Sequence, residues 1–393
     1  MAAGLTPPDL YRPTWAEVDL DALHHNLSLI RRRMGTRPIL AVVKADAYGH
    51  GAVPVARALE RAGVEHFGVA LPEEGVELRR AGLRAPILLL GGCTPAQADL
   101  VLGHDLTAAV YRRDQVVAIA AAATRMGTTA RVHLKLDTGM GRLGVPTAEA
   151  AAFADMFLRA AGGRVRMEGA YSHLAVADAP ADPFTALQIA QFGVAVDALR
   201  SRGLDPPLLH LANSAAITDH SPAWLTLVRP GIVLYGYSPS GQVAADPWRP
   251  VLGLRTRIIY LKDHPVGASL GYGRTWTASR PSRIASLPAG YDDGLPRPLG
   301  NRGHVLVRGR PAPIVGRISM DLTTVDVTDI PGATIGDTVT LIGADGEARI
   351  GADQIAAWAD TIHWAVLCGV GGRVPRLYRE GPSISVVSRF GLL

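Results

Sequence analysis

The sequence predicts an α/β fold, a TIM-like (β/α)8 barrel followed by a second, mainly β domain, from two contrasts along its 393 residues. From about residue 38 to about 235, short apolar runs alternate with longer amphipathic ones, the pattern of parallel strands joined by helices. Beyond residue 236 the runs shorten and Gly and Pro interrupt them, as in strands joined by turns.

Taken in order, segment 14–20 alternates like a strand and precedes a helical stretch at 21–34. Strand candidates follow at 39–43, 66–70, 86–90, 106–110, 131–136, 165–171, 207–211 and 225–228, the eight that such a barrel needs. Helical patterns stand between them, most clearly at 50–62, 72–81, 114–125 and 182–202. The second domain is expected to carry strands at 255–261, 283–287, 304–307, 312–318, 323–329 and 337–342. The resulting division is an extension at 1–14, a barrel at 15–240 and a β domain at 241–393.

Composition narrows the function classes. Hydrophobic residues make up 48% and charged residues 19%, which suits a large core. The formal net charge of +5 is spread along the chain, with no basic run longer than Arg31-Arg32-Arg33, so it does not argue for a nucleic-acid partner. The two cysteines, Cys93 and Cys368, match no metal spacing and read as buried thiols in a reducing compartment. Residues 1–13 lack a secretory pattern and no apolar run is long enough for a bilayer, so a cytoplasmic protein without a membrane partner is expected.

The string AVVKADAYGHG at 41–51 places Lys44 just past the apolar run 39–43. That is the rim on which α/β barrels carry their chemistry. A lysine walled by apolar residues loses its charge by desolvation and becomes an amine nucleophile, as attachment of pyridoxal phosphate requires. The same residues read equally as a surface lysine after a core strand. Position bears on the choice, because Arg142, His173, Asn213-Ser214 and Arg229-Pro230-Gly231 each fall at or just past the carboxyl end of another predicted strand, and one rim would collect them all.

The string at 41–51 resembles the cofactor-lysine motif of the alanine racemase family, pyridoxal-phosphate enzymes that interconvert L- and D-alanine. Further strings match in the same order: LDTGMGRLG (136–144), YSH (171–173), HLANS (210–214), VRPGI (228–232), GYGRT (271–275) and GRISMD (316–321). The resemblance runs from about residue 15 to about 380 and implies a cytoplasmic, homodimeric isomerase that supplies D-alanine for peptidoglycan. It also implies that the first strand joins the C-terminal domain, and that each active site is shared across the dimer.

Residue by residue, the resemblance implies Lys44 and Tyr272 as catalytic bases on opposite faces of the substrate Cα, with Tyr272 supplied by the other subunit. It implies Tyr48, Asn213, Ser214 and the backbone amides of Gly231 and Ile232 around the cofactor, several of them neutral donors suited to a phosphate dianion. Arg229 would face the pyridine nitrogen, and His173 would couple it to the catalytic tyrosine. A guanidinium cannot accept a proton, so it leaves that nitrogen unprotonated and weakens the ring as an electron sink. Arg142 would hold the substrate carboxylate, helped by the Met320 amide, with Tyr291 also against the substrate. Lys135, at a strand end facing Arg142, matches a lysine that is often carbamylated in the family; otherwise it is a polar strand-end lysine. Read alone, Tyr48 is a packing tyrosine, His173 a satisfied core residue and Gly271-Tyr272-Gly273 a turn with an exposed ring.

Three positions depart from the family pattern. Gly372 precedes Arg373-Val374-Pro375-Arg376 where some members carry a tyrosine, Trp364-Ala365 replaces a common Tyr-Glu pair, and Asp292 replaces an alanine in Tyr291-Asp292-Asp293-Gly294. They bear on substrate range and inhibitor sensitivity more than on reaction type. The alternative activity is a serine or broad-specificity small amino-acid racemase on the same framework. Arg229 disfavours a decarboxylase, and residues 240–393 with Tyr272 disfavour a mere pyridoxal-phosphate carrier.

Overall fold

The computed structural model describes residues 11–239, 248–389 and 391, and the chain forms two compact units. One comprises the described residues of His24–Ala47 and Ala52–Trp248; the other comprises those of Met1–Leu23, Tyr48–Gly51 and Arg249–Leu393. The expected boundary at 240/241 and most of the 1–14 extension lie outside the described residues.

In the first unit, seven strands form a curled parallel sheet in sequence order: Leu40–Val42, His66–Val69, Ile87–Leu89, Thr107–Val110, Ala130–Asp137, Val165–Tyr171 and Leu208–His210. Several are buried along their whole length, as strands covered on both faces must be. The eighth predicted strand is only a bridge. Thr226 N donates to Leu209 O (3.1 Å), Leu40 N to Val228 O (2.8 Å) and Val42 N to Pro230 O (3.0 Å), so this segment joins the last strand to the first. Pro230 has no N–H and Leu225 turns with φ of 45°, which keeps the ladder from extending. The helices Pro72–Arg80, Arg113–Arg125 and Phe184–Arg200 lie within two residues of their expected ends.

The segment after Lys44 differs from expectation. In place of a helix opening at residue 50, a short helical turn, Lys44–Gly49, comes first and the helix Ala52–Arg61 follows. Ala45, Asp46, Ala47 and Tyr48 have φ of 53–55°, so this turn is left-handed. Four such non-glycine residues in a row cost roughly 4–8 kcal/mol in backbone sterics. The Asp46 carboxylate accepts the Ala52 N–H at 2.7 Å and so caps the helix that follows.

In the second unit, Trp15–Asp19 pairs antiparallel with Leu252–Arg257 and parallel with Arg376–Glu380 inside an eight-stranded sheet. The run expected as one strand at 255–261 is two. Leu252–Arg257 belongs to the large sheet, whereas Tyr260–His264 pairs with Ser282–Leu287 in a three-stranded one. Ile258 N still bonds back to Asp337 O while Ile259 N bonds to Ser286 O, so the strand changes sheets between these residues. The expected strand at 312–318 is Arg310–Pro313. Two helices unforeseen in the sequence, Ala352–Ala359 and His363–Cys368, also pack in this unit. The second of them ends on Cys368, which is exposed rather than buried as expected. Cys93 is buried, and burial raises its thiol pKa to about 11.

Candidate functional site

The carboxyl ends of the parallel strands bring Lys44, Lys135, Arg142, His173, Asn213, Ser214, Arg229, Gly231 and Ile232 into one unit. Their charges act on one another. Lys135 is driven down to about pKa 8, first by burial and then by Arg229, Arg142 and Lys44. His173 falls to about 3 by burial and then by Arg229, Arg142, Lys135 and Lys44. Both groups therefore report a cluster of cations around one mouth.

Arg229 is the best-defined member. It is 4% exposed, and burial lowers its pKa to about 10, which leaves it charged at neutral pH. Its Nη1 donates to His210 Nδ1 (3.0 Å) and His210 O (2.6 Å), and its Nη2 to Ser172 O (2.7 Å) and Leu211 O (3.0 Å). Those bonds occupy both terminal nitrogens, and Nε–H is the guanidinium donor left without a partner among the described residues.

Because a guanidinium only donates, His210 Nδ1 must accept, which puts the imidazole proton on Nε2. That nitrogen then donates to His133 Nδ1 at 2.8 Å, and the His133 proton faces Glu168, with Nε2 and Oε2 3.9 Å apart. Burial lowers the pKa of both imidazoles, so the neutral forms that this chain of bonds requires are also the favoured ones. The ring of Tyr171 stacks on His210 at 4.8 Å, lies under the Arg229 and Lys135 cations, and fixes its hydroxyl on Leu90 O at 2.7 Å. The sequence alone does not single out Tyr171, His133 or Glu168 for a role; a period-two pattern of polar residues, Arg131, His133 and Lys135 on one strand and Arg166 and Glu168 on the next, is the signal that points to His133 and Glu168. The resemblance implies His173 as the imidazole joined to Arg229. Among the described residues His210 is the imidazole hydrogen-bonded to Arg229, while the Arg229 charge helps lower the His173 pKa.

Ser214 and the 229–232 segment form a second cluster. Ser214 Oγ accepts the Gly231 N–H at 2.9 Å and the Val233 N–H at 3.5 Å, leaving its own O–H and the Ile232 N–H to donate elsewhere. The Asn213 side chain instead caps the helix Ser214–Asp219 by accepting the Ala216 N–H at 3.0 Å. Arg142 is exposed at the end of a loop shaped by Asp137 Oδ1, which accepts the N–H groups of Gly139 and Gly141.

The remaining expected residues lie in the other unit. Tyr48 is buried, and burial and then Cys368 raise its pKa. Tyr272 is 71% exposed between Gly271 and Gly273, whose φ values of 72° and 71° only glycine adopts freely. Tyr291 and Met320 are also exposed and belong to paired loops, in which Tyr291 N donates to Ser319 O (3.0 Å) and Asp292 N to Met320 O (3.2 Å). Arg373 closes this pairing through Asp292, Asp293, Asp321 and Met320 O. A Cβ at Gly372 would meet nothing within 4 Å.

These donors suit pyridoxal phosphate. An amine follows one strand, a buried cation keeps one N–H unpartnered among the described residues, and neutral O–H and N–H donors stand at a helix start.

The signature described as alanine racemase, N-terminal domain, matches residues 18–239, and that of the C-terminal domain matches 251–378. The alanine racemase of Halothermothrix orenii is 45% identical over 371 residues, covering 94% of this chain and 97% of that protein. The Geobacter sulfurreducens alanine racemase is 46% identical over 379 residues, covering 95% and 98%. Among solved structures, an alanine racemase from Clostridium difficile 630 superposes with a TM-score of 0.91 at 35% identity, covering 96% and 99%. The alanine racemase of Bacillus anthracis with bound L-Ala-P gives 0.91 at 32%, covering 98% and 100%. With both signatures and these relatives spanning nearly its whole length, the chain belongs to the alanine racemase family of pyridoxal-phosphate-dependent isomerases.

Proposed function

We propose that this protein is an alanine racemase that binds pyridoxal phosphate, interconverts L- and D-alanine, acts as a homodimer and supplies D-alanine for peptidoglycan. The observation that carries the cofactor assignment is Arg229, a buried cation at a strand end with one donor unpartnered among the described residues. When bound, pyridoxal phosphate supplies the electron withdrawal that acidifies the Cα–H bond of an attached amino acid.

Lys44 Nζ would hold the cofactor, and its amine would move a proton at one face of the substrate Cα. Tyr272 Oη of a second copy moves the proton at the opposite face. Arg142 and the Met320 amide of that second copy hold the substrate carboxylate, and Tyr291 lies beside it. Arg229 would offer its Nε–H to the ring nitrogen and, as a group that cannot accept a proton, would leave that nitrogen unprotonated. The Ser214 hydroxyl and the Ile232 amide would hold the phosphate, with the Gly231 N–H fixing the Ser214 oxygen and Asn213 shaping the helix start beneath it. Lys135, half neutral near its pKa of about 8, can take up carbon dioxide as a carbamate anion that orients Arg142.

The test is direct. Purified protein is expected to absorb near 420 nm, roughly the wavelength of lysine-bound pyridoxal phosphate, to racemise L-alanine, and after borohydride to carry the label on Lys44. A label on Lys135 or Lys262 refutes the Lys44 assignment. A panel of L-amino acids separates alanine from the serine or broad-range alternative, on which Gly372 and Asp292 bear.

A further inference from the structure

We propose that Glu74 is a positioning residue that holds the left-handed turn carrying Lys44; the inference rests on the reading of Lys44 as the cofactor lysine. Glu74 lies in the first turn of the helix Pro72–Arg80, one strand and loop along the barrel from Lys44. Its Oε2 does what a glutamate at that position commonly does, accepting the N–H groups of Ala70 (2.7 Å) and Leu71 (3.1 Å). Its Oε1 leaves the helix and accepts the N–H of Ala45 at 2.7 Å.

Ala45 follows Lys44 directly and opens the left-handed run, with φ of 54°. The N–H of a residue that opens a helical turn finds no partner inside it. Without Glu74 that group turns to water, and the strained backbone loses a bond that selects its unfavourable φ. Elsewhere in the turn, Ala47 N donates to Val43 O at 2.9 Å, Asp46 accepts the Ala52 N–H, and Gly49 O at the far end accepts from Arg376 Nε at 3.0 Å. Glu74 acts at the start of the turn and comes from the neighbouring strand's loop, and so registers the Lys44 turn against the rim. A carboxylate is required. Three N–H donors converge on its two oxygens, and an amide nitrogen in place of either oxygen would face an N–H.

Glu74→Gln keeps the size but can satisfy only one side. In cofactor-free protein, amide exchange of the 43–50 peptide is expected to rise at least about tenfold, while a peptide covering 304–307 is unchanged. In the loaded enzyme kcat is expected to fall at least about tenfold, with KM for alanine kept within about twofold, as misplacement of a reacting group requires. Unchanged exchange at 43–50 overturns the proposal, since Glu74 would then only cap its own helix. So does raised exchange with undiminished kcat. If Glu74→Gln does not fold, Glu74→Asp, one methylene shorter with its charge intact, must show the same exchange and kcat changes. A borohydride label away from Lys44 in the unaltered protein would refute the functional reading instead, and the exchange measurement would still report what Glu74 holds.

Discussion

Lys135 is 6% exposed within the strand Ala130–Asp137, and its pKa falls from 10.5 to about 8 through burial first and nearby cations second. Between those two pH values the unfolded chain keeps a proton that the folded protein has lost, so stability rises with pH across the window. Below about pH 8 both states hold the proton and the penalty is present in full. Replacing the amine with an apolar side chain removes it. Lys135→Met is therefore expected to melt higher than the parent at about pH 7 and to lose that advantage toward about pH 10, in paired melts in buffer free of carbon dioxide. A Tm difference that does not change with pH would show that Lys135 is not a strained cation.

At the scale of elements, the paired loops around Tyr291 and Met320 depend on close backbone approach. A Cβ at Gly290 would lie 2.2 Å from Met320 O and 2.4 Å from Ser319 O, both backbone atoms that cannot swing away. Gly290→Ala must therefore push the loops apart, and a loss of about 1–3 kcal/mol in urea unfolding is expected. Gly372 is the control, since nothing lies within 4 Å of its added methyl and its φ is not positive. Gly372→Ala is expected to be neutral or to gain up to about 1 kcal/mol by restricting the unfolded chain. Equal losses at the two glycines would mean that the loop pairing contributes nothing specific. Beneath these loops, the fully buried Asp293 joins Arg12 and Arg373 and accepts the Gly290 N–H at 2.9 Å, which accounts for a carboxylate in an otherwise apolar core.

At the scale of the whole molecule, the proposal sets Lys44 of one copy against Tyr272 of another, and subunit exchange tests it. Lys44→Ala and Tyr272→Ala are each expected to be nearly inactive as homodimers. In a mixed dimer one site receives both lesions and the other neither. Random exchange makes half the dimers mixed, so activity is expected to recover to about a quarter of the parent's. Recovery near zero, with exchange verified by mass, would place both bases in one chain.

Much of this was legible in the chain itself. The order of strands and the polar residues at their ends, Lys44, Arg142, His173, Ser214 and Arg229, follow from periodicity and connectivity, because a parallel barrel must deliver successive strand ends to the same rim. The second unit's strands at 283–287 and 304–307 were equally readable from short runs between turn residues. What the sequence could not carry were contacts between strands distant along the chain. His210 rather than His173 meets Arg229, Tyr171 lies beneath two cations, and Glu74 reaches Ala45, because these pairings depend on the register of neighbouring strands and not on local pattern. The handedness of the turn after Lys44 was hidden for the same reason. Ala45, Ala47 and Tyr48 have no intrinsic preference for positive φ, so the backbone there depends on bonds that local pattern does not reveal, among them that of Glu74 to Ala45.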